Sequence, residues 1–493
     1  MITSDRMAAV DANAAALGVP QKQLMESSGN AVASAVRERT DPGDRVAIVA
    51  GRGNNGGDAF VAARFLEDRD VTTLLLGRAE AISTEIARDN WVALQSAELD
   101  AREIRDATAL HTETSDASVG ALFDDADLVV DAIVGTGVTG ALREPAATAA
   151  ERINAADASV LAVDVPSGID ADAGTAAGTA VDADHVVTFH DEKPGLSELD
   201  ATVEIADIGI PDAADLFVER GDLLALDRAA DSHKGDHGHV LVIGGGPYTG
   251  APALTAQAAL RAGADLVTVA CPESVADEVQ GYDESIITHP LPGDLVQPGH
   301  VDALLDLEAE RTTTVIGPGL GRSEGTLDAA REFLASAGGT VVVDADPLRV
   351  VPDLEPGEMD ATLLCTPHRG ELAAMGGPEA DDWRSRADAV EAFAAELDAT
   401  LLVKAPYDVI SDGEDTRVNR TGNPGMTAGG TGDVLAGICG ALASTQPLLE
   451  AGAIAAFVNG RSGDSVVDDR GYGLLATDLL EEIPLTMWGE QRE

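Results

Sequence analysis

One stretch near the far end limits what this chain can fold into. Six glycines lie within residues 422–437 around a single acid, Asp433, and an apolar run that reads as a helix follows directly. Glycine lets successive N–H groups turn towards one point, and a helix start adds the positive end of its dipole. The stretch therefore reads as an anion hole. Asp433 stands where a carboxylate can take a proton from a hydroxyl while phosphate charge is held beside it. The plainer alternative is a Gly-rich connector with a helix-capping Asp, but the glycine density and the matching pieces upstream favour the anion hole.

Those pieces repeat one layout. Residues 45–50 form a short apolar run suited to a buried strand, 51–58 are Gly-rich, and a helix is expected from Ala59 onward. The loop lacks the Lys-Ser/Thr of a P-loop and the spacing Gly-x-Gly-x-x-Gly. Further strands are expected at 71–76, 128–134 and 160–164, with helices over 6–40 (broken near Gly18) and 82–98. In an open parallel sheet, ligands bind at the carboxyl ends of strands. Asn55, Asp131, Asp164 and Ser167 all lie at or just past such ends. Hard oxygen donors gathered there suit an alkali or alkaline-earth cation. Position alone weighs equally for Asp131 and Asp164 as loop caps.

The second half repeats strand and Gly-rich loop at 240–243, 314–316 and 340–344, with a small-residue helix at 253–262 and strands at 266–270, 363–365 and 401–403. The last of these runs into Lys404. His368 follows a strand in a Pro/Gly turn, which favours a ligand contact over a core histidine. His233, His237 and His239 precede a strand with no acidic cage around them, so a metal site there is not expected.

Charge excludes some partners. With 86 Asp+Glu against 32 Lys+Arg the formal net charge is −54, which repels nucleic acid and anionic membranes. The acids are spread along the chain and 45% of residues are hydrophobic, so this is not disorder; it is the composition of a protein adapted to high salt. Only four lysines remain, Lys22, Lys193, Lys234 and Lys404, and three of them fall inside motifs. Cys271, Cys365 and Cys439 sit in apolar contexts as small core residues. No leader and no membrane span are expected, which points to the cytoplasm. At 493 residues the chain has room for two to four domains.

The motifs Gly-Arg-Gly-Asn-Asn-Gly-Gly-Asp, Asp-Ala-Ile-Val-Gly-Thr-Gly and Val-Asp-Val-Pro-Ser-Gly-Ile-Asp, in this order, resemble the NAD(P)H-hydrate epimerase family over about residues 1–215. The resemblance implies a Rossmann-like three-layer sandwich. By it, Asn54, Asn55, Gly56, Gly57 and Asp58, together with Gly135, Thr136, Gly137, Val138, Thr139, Gly140 and Ala141, would hold the hydrated nicotinamide nucleotide. A potassium ion would sit at Asn55, Asp131 and Ser167, Asp164 would be the acid–base residue, and Lys193 would assist. Over about 225–490, Tyr-Thr-Gly-Ala-Pro, Gly-Pro-Gly-Leu-Gly, Thr-Pro-His-Arg-Gly-Glu and the glycine stretch resemble the nucleotide-dependent NAD(P)H-hydrate dehydratases, of ribokinase-like three-layer fold. There Ala253, Gly319, His368 and Asp433 would contact the substrate. Lys404, Ala405, Pro406, Tyr407, Asp408 and Gly432 would hold ADP with Mg2+.

One departure stands out: Ala405-Pro406 replaces a glycine-rich step that is usual in the family, so a stiffer loop is expected. The residues leave ADP and ATP open, with the two-domain arrangement favouring ADP, and leave the oligomeric state, homo-oligomer included, open. Together the halves imply epimerisation of NADH and NADPH hydrates and dehydration of the S-epimer. The competing reading is a small-molecule hydroxyl kinase whose first half only binds a nucleotide.

Overall fold

The computed structural model describes residues 1–110, 119–137, 140–357 and 359–489. The chain divides into two compact units, 1–214 and 215–493. Each is built on its own sheet with helices on both faces. Among the described residues no helix is long and apolar enough to cross a membrane.

The first sheet contains β1 (Arg45–Ala50), β2 (Asp70–Leu76), β3 (Ala101–Ile104), β4 (Leu128–Ala132), β5 (Ser159–Val163), β6 (His185–Phe189) and β7 (Thr202–Ala206). Their order is β3-β2-β1-β4-β5-β6-β7, and all pairs are parallel. Runs such as Val46–Ala50 and Leu128–Ala132 are buried throughout, as strands covered on both faces must be. Successive connections run outward in opposite directions from β1 and β4, so the switch point lies between them.

The second sheet contains β8 (His239–Ile243), β9 (Leu266–Pro272), β10 (Ile287–Leu291), β11 (Thr313–Ile316), β12 (Thr340–Val343), β13 (Thr362–Cys365), β14 (Thr400–Val403), β15 (Asp408–Ser411) and β16 (Thr416–Asn419). The order is β10-β9-β8-β11-β12-β13-β14-β15-β16. It is parallel up to β14, and β15 and β16 return antiparallel. Cys271, Cys365 and Cys439 are free and buried.

Both units bring strand ends into very close approach in the same way. A Cβ on Gly51, just past β1, would lie 1.8 Å from the carbonyl oxygen of Ile133, just past β4. A Cβ on Gly317, past β11, would lie 1.8 Å from the carbonyl oxygen of Asp344, past β12. Only glycine fits either place, and Gly317 also has φ +133°.

The structure differs from the sequence expectations in two ways. The helix expected from Ala59 begins at Asn54, because Gly56 can lie against the Gly51 carbonyl, where a Cβ would stand 2.2 Å away. The strands β3, β6, β7, β10, β15 and β16 were not anticipated. β7 is half exposed and polar on one face, and β10 carries Pro290, which an edge strand tolerates.

Candidate functional site

In the first unit a cavity of about 1110 Å³ opens over the switch point. The helix Asn54–Arg64 starts there with no side-chain cap, leaving its first N–H groups to a ligand. Asn54, Asn55, Asp58, Gly135, Thr136, Gly137, Gly140 and Ala141 line the cavity. Gly56 and Gly57 instead serve close packing, against the Gly51 carbonyl and the Met25 side chain. Val138 and Thr139 lie outside the described residues.

Asp131 is wholly buried near the end of β4. It accepts hydrogen bonds from the Ser167 N–H and Oγ, both at 2.7 Å, and from the Ile133 N–H at 3.2 Å. Burial pushes its carboxyl up to about 6, against these hydrogen bonds. Asn55 is buried as well, and neither atom of its amide has a partner. Its Cγ lies beside Gly135, 3.3 Å from where a Cβ there would be. A buried amide oxygen left unsatisfied costs about 1–3 kcal/mol. An unsatisfied amide, a buried carboxylate and a hydroxyl at one strand end form a set of hard oxygen donors of the kind that suits a cation.

Beside it lies a cluster of acids around one lysine. Asp164 follows β5 with φ +67°, a conformation that is uncommon for Asp and gathers at functional sites. Its Oδ1 is 2.8 Å from the Nζ of fully buried Lys193 and accepts from Thr188 Oγ1 at 3.1 Å. Lys193 also donates to Thr188 Oγ1 at 2.9 Å and to the Phe189 carbonyl at 2.8 Å. Asp11 faces the same cavity from the first helix. Burial, with Asp164 adding, pushes it up to about 6, while Lys193 and His190 oppose. Asp58 is driven well above the usual range by burial, against a hydrogen bond from Ser28. Asp164, Asp58 and Lys193 stood out in the sequence; Asp11, in an Ala-rich helix, did not.

In the second unit the glycine stretch ends in Gly430, at φ +97°, which starts the helix Thr431–Leu442 without a side-chain cap. Asp433 lies in its first turn. Across from it, Lys404 Nζ lies 3.5 Å from where a Cβ on Gly432 would be, and 2.9 Å from Asp344 Oδ1. Thr366 Oγ1 donates to the same Asp344 oxygen at 2.7 Å. Burial, then the neighbouring Asp344, push the Asp433 carboxyl up to about 7, and Lys404 opposes. Burial alone would lower Lys404, but Asp344, Glu371 and Asp433 hold it above its ordinary value. A carboxylate poised near neutrality beside a fixed cation and free helix N–H groups can accept a proton while anionic charge is held. Asp344 and Thr366 do not stand out in the sequence, since the partner of Asp344, Lys404, and the partner of Thr366, Asp344 itself, lie 60 and 22 residues away.

The other residues singled out divide into two groups. His368 caps the helix Arg369–Ala374: its Nδ1 accepts from the Gly370 and Glu371 N–H groups at 3.0 Å each. That puts the ring proton on Nε2. It pairs with Lys404 across the ends of β13 and β14. A Cβ on Gly319 would stand 2.5 Å from the Tyr248 carbonyl, so two Gly-rich loops meet there. Ala253, by contrast, is buried in the core, so its methyl offers nothing to a ligand. Within 404–408, Asp408 accepts from the Ala405 N–H at 2.8 Å and from Asn419 Nδ2 at 2.9 Å. Its carboxylate therefore closes the loop, and Tyr407 stacks on Trp383 with centroids 5.5 Å apart.

Comparison with known proteins gives concordant matches. A family model described as NAD(P)H-hydrate dehydratase matches residues 240–485, and one described as the YjeF-related protein N-terminus matches residues 21–195. The chain is 42% identical over 497 residues to the bifunctional NAD(P)H-hydrate repair enzyme of Pyrobaculum aerophilum, covering 98% of this chain and 97% of that protein. The enzyme of the same name from Methanothermobacter thermautotrophicus is 39% identical, over 98% and 94% of the two chains. Among solved structures, the ADP/ATP-dependent NAD(P)H-hydrate dehydratase from Bacillus subtilis, co-crystallised with ATP/Mg2+, is 25% identical over 56% of this chain and 98% of that one, with a TM-score of 0.48.

Proposed function

The chain belongs to the family of bifunctional NAD(P)H-hydrate repair enzymes, and from that membership we propose that it returns hydrated reduced nicotinamide nucleotides to NADH and NADPH. The first unit interconverts the two epimers of the hydrate. The second dehydrates the S-epimer, with ADP entering as its magnesium salt and leaving as AMP and phosphate.

In the second unit Asp433 accepts the proton of the ring hydroxyl as that oxygen attacks the terminal phosphoryl of ADP and AMP departs. The N–H groups at Gly429–Gly432 and the Lys404 ammonium hold the transferring phosphoryl. Phosphate then leaves with the C–O electron pair, pushed out by the ring nitrogen. Loss of a proton from the neighbouring carbon restores the reduced ring. The His368 Nε2–H and the backbone at Ala253 and Gly319 orient the substrate; Tyr407 and the backbone of Ala405 and Pro406 hold the nucleotide. Asp344 positions Lys404, and burial, with Asp344 adding, keeps Asp433 basic enough to act near neutral pH.

In the first unit Asp164 takes the hydroxyl proton as the ring C–N bond opens, its electron pair passing to nitrogen. The nitrogen then closes on the other face of the new carbonyl, and the proton returns. Lys193 fixes the Asp164 carboxylate. The helix start at Asn54–Asp58 and the turn around Gly135–Ala141 bind the rest of the substrate. Asn55, Asp131 and Ser167 would hold a potassium ion, which supplies fixed positive charge at the switch point.

The observation that carries this reading is the setting of Asp433: a carboxyl pushed up to about 7, with Lys404 against the backbone one residue before it. Asp433→Asn should abolish nucleotide-dependent dehydration and leave epimer exchange, followed by chromatography of the two epimers. Asp164→Asn should do the reverse. Survival of both activities in Asp433→Asn overturns the assignment.

A further inference from the structure

The first unit carries an arginine pattern that the epimerisation chemistry does not use. Most of its arginines are tied down, as in the pairs Arg64–Glu26, Arg102–Asp100, Arg105–Glu103 and Arg152–Asp124. Among the described residues, the side chains of Arg52, Arg78 and Arg143 make no hydrogen bond or ion pair. In a chain with 86 acidic residues and only 32 basic ones, an arginine without an acid partner is unexpected. Arg52 and Arg78 lie just past β1 and β2, Arg143 lies in the connection that follows β4, and Arg52 and Arg143 line the cavity.

Position separates their tasks. The Asp164–Lys193 pair sits past β5 and β6 and fixes the end of the cavity that takes the reacting nicotinamide. A dinucleotide laid across a switch point then sends its adenosine half towards the end of β2. The Arg52 stem packs on Gly77, just past β2, with Cδ 2.8 Å from where a Cβ would be. The Ser83 hydroxyl and N–H both hold the Arg52 carbonyl, at 3.0 and 2.9 Å. A dinucleotide site that prefers a free 2′-hydroxyl presents a carboxylate at the end of this strand, whereas one that accepts a 2′-phosphate presents arginine. Here the strand end reads Leu76-Gly77-Arg78. The nearby Glu103 is occupied by Arg105 and the Ala79 N–H. Glu80 lines a separate groove with Arg78 and Arg105, not the cavity.

We propose that Arg52 is a specificity-determining residue that binds the 2′-phosphate of the adenosine ribose, so that the epimerase site prefers NADPH hydrate to NADH hydrate. Arg143, on the β4 side, meets the diphosphate that both hydrates share. The inference rests on the epimerase reading of this unit.

The test is the rate of R-to-S exchange, resolved by chromatography, for each hydrate with the full chain at one fixed salt concentration. The wild type should show kcat/KM about tenfold higher for NADPH hydrate, the range expected of a charge-assisted hydrogen bond under screening. Arg52→Ala should bring the ratio towards one through KM and not kcat. Arg52→Lys, which keeps the charge but not the fork, should restore part of it. Arg143→Ala should raise both KM values alike and leave the ratio. Equal kcat/KM for the two hydrates in the wild type, or an unchanged ratio in Arg52→Ala, overturns the inference while the epimerase reading stands. Absence of exchange with either hydrate overturns both.

Discussion

Replacing the proposed base should make the second unit more stable, and the size of the gain follows from its surroundings. Asp433 titrates at about 7 against 3.8 for a free Asp, with burial as the main cause and Asp344 next. The folded state thus favours the neutral form. The penalty for ionising Asp433 is absent below 3.8, grows between 3.8 and 7, and is complete above 7. At about 1.4 kcal/mol per tenfold, it amounts to ~4 kcal/mol at pH 8. Asp433→Asn carries no charge and escapes it. Lys404 then loses one of three carboxylate neighbours, which takes back part of the gain. A net stabilisation of about 2 kcal/mol remains, or roughly 5 °C in Tm for a unit of this size. Scanning calorimetry at pH 8 and pH 5, following the transition of the second unit, measures it. The gain should shrink by more than half at pH 5. A Tm at pH 8 equal to or below that of the parent, or a gain that ignores pH, refutes the reasoning.

Two further outcomes follow from close contacts. Lys193→Met leaves the Asp164 carboxylate without its cation and the Phe189 carbonyl without a donor; it should cost the first unit about 3 kcal/mol in urea unfolding and cut epimer exchange at least a hundredfold, with dehydration retained. Gly437→Ala would set a methyl 2.2 Å from the Thr255 carbonyl and 2.8 Å from Ala258 Cβ, forcing apart the two helices that hold Asp433. It should cost about 3 kcal/mol and lower dehydration, read by Tm and by nucleotide-dependent turnover.

Much of both sheets was legible because their central strands are buried on both faces. Val46–Ala50, Leu128–Ala132 and Val240–Ile243 admit no polar residue except where a ligand or a partner waits. That is why Asp131 stood out. The edge strands β7 and β10 were not legible because they are partly exposed, and β6 and the β15–β16 hairpin were missed although mostly buried. The anion hole could be read from glycine alone, since Gly430, at φ +97°, leaves no room for a Cβ beside Leu254 and Ala476. What surrounds it could not. Asp344 reads as an ordinary strand-ending acid until the fold brings Lys404 to 2.9 Å across the sheet edge. Asp408 reads as part of a nucleotide loop until Ala405 and Asn419 take both its oxygens. Asp11 becomes significant only once its helix brings it to the cavity that Asp164 and Lys193 also line.

The most direct measurement is recovery of the reduced-nicotinamide absorbance from an equal mixture of R- and S-NADH hydrate, in high salt, with the full chain, magnesium and ADP. Two cooperating activities predict full recovery, because the first unit feeds the R-epimer to the second. A halt at the S-epimer share would contradict epimerisation, and no recovery with either ADP or ATP would contradict the account as a whole.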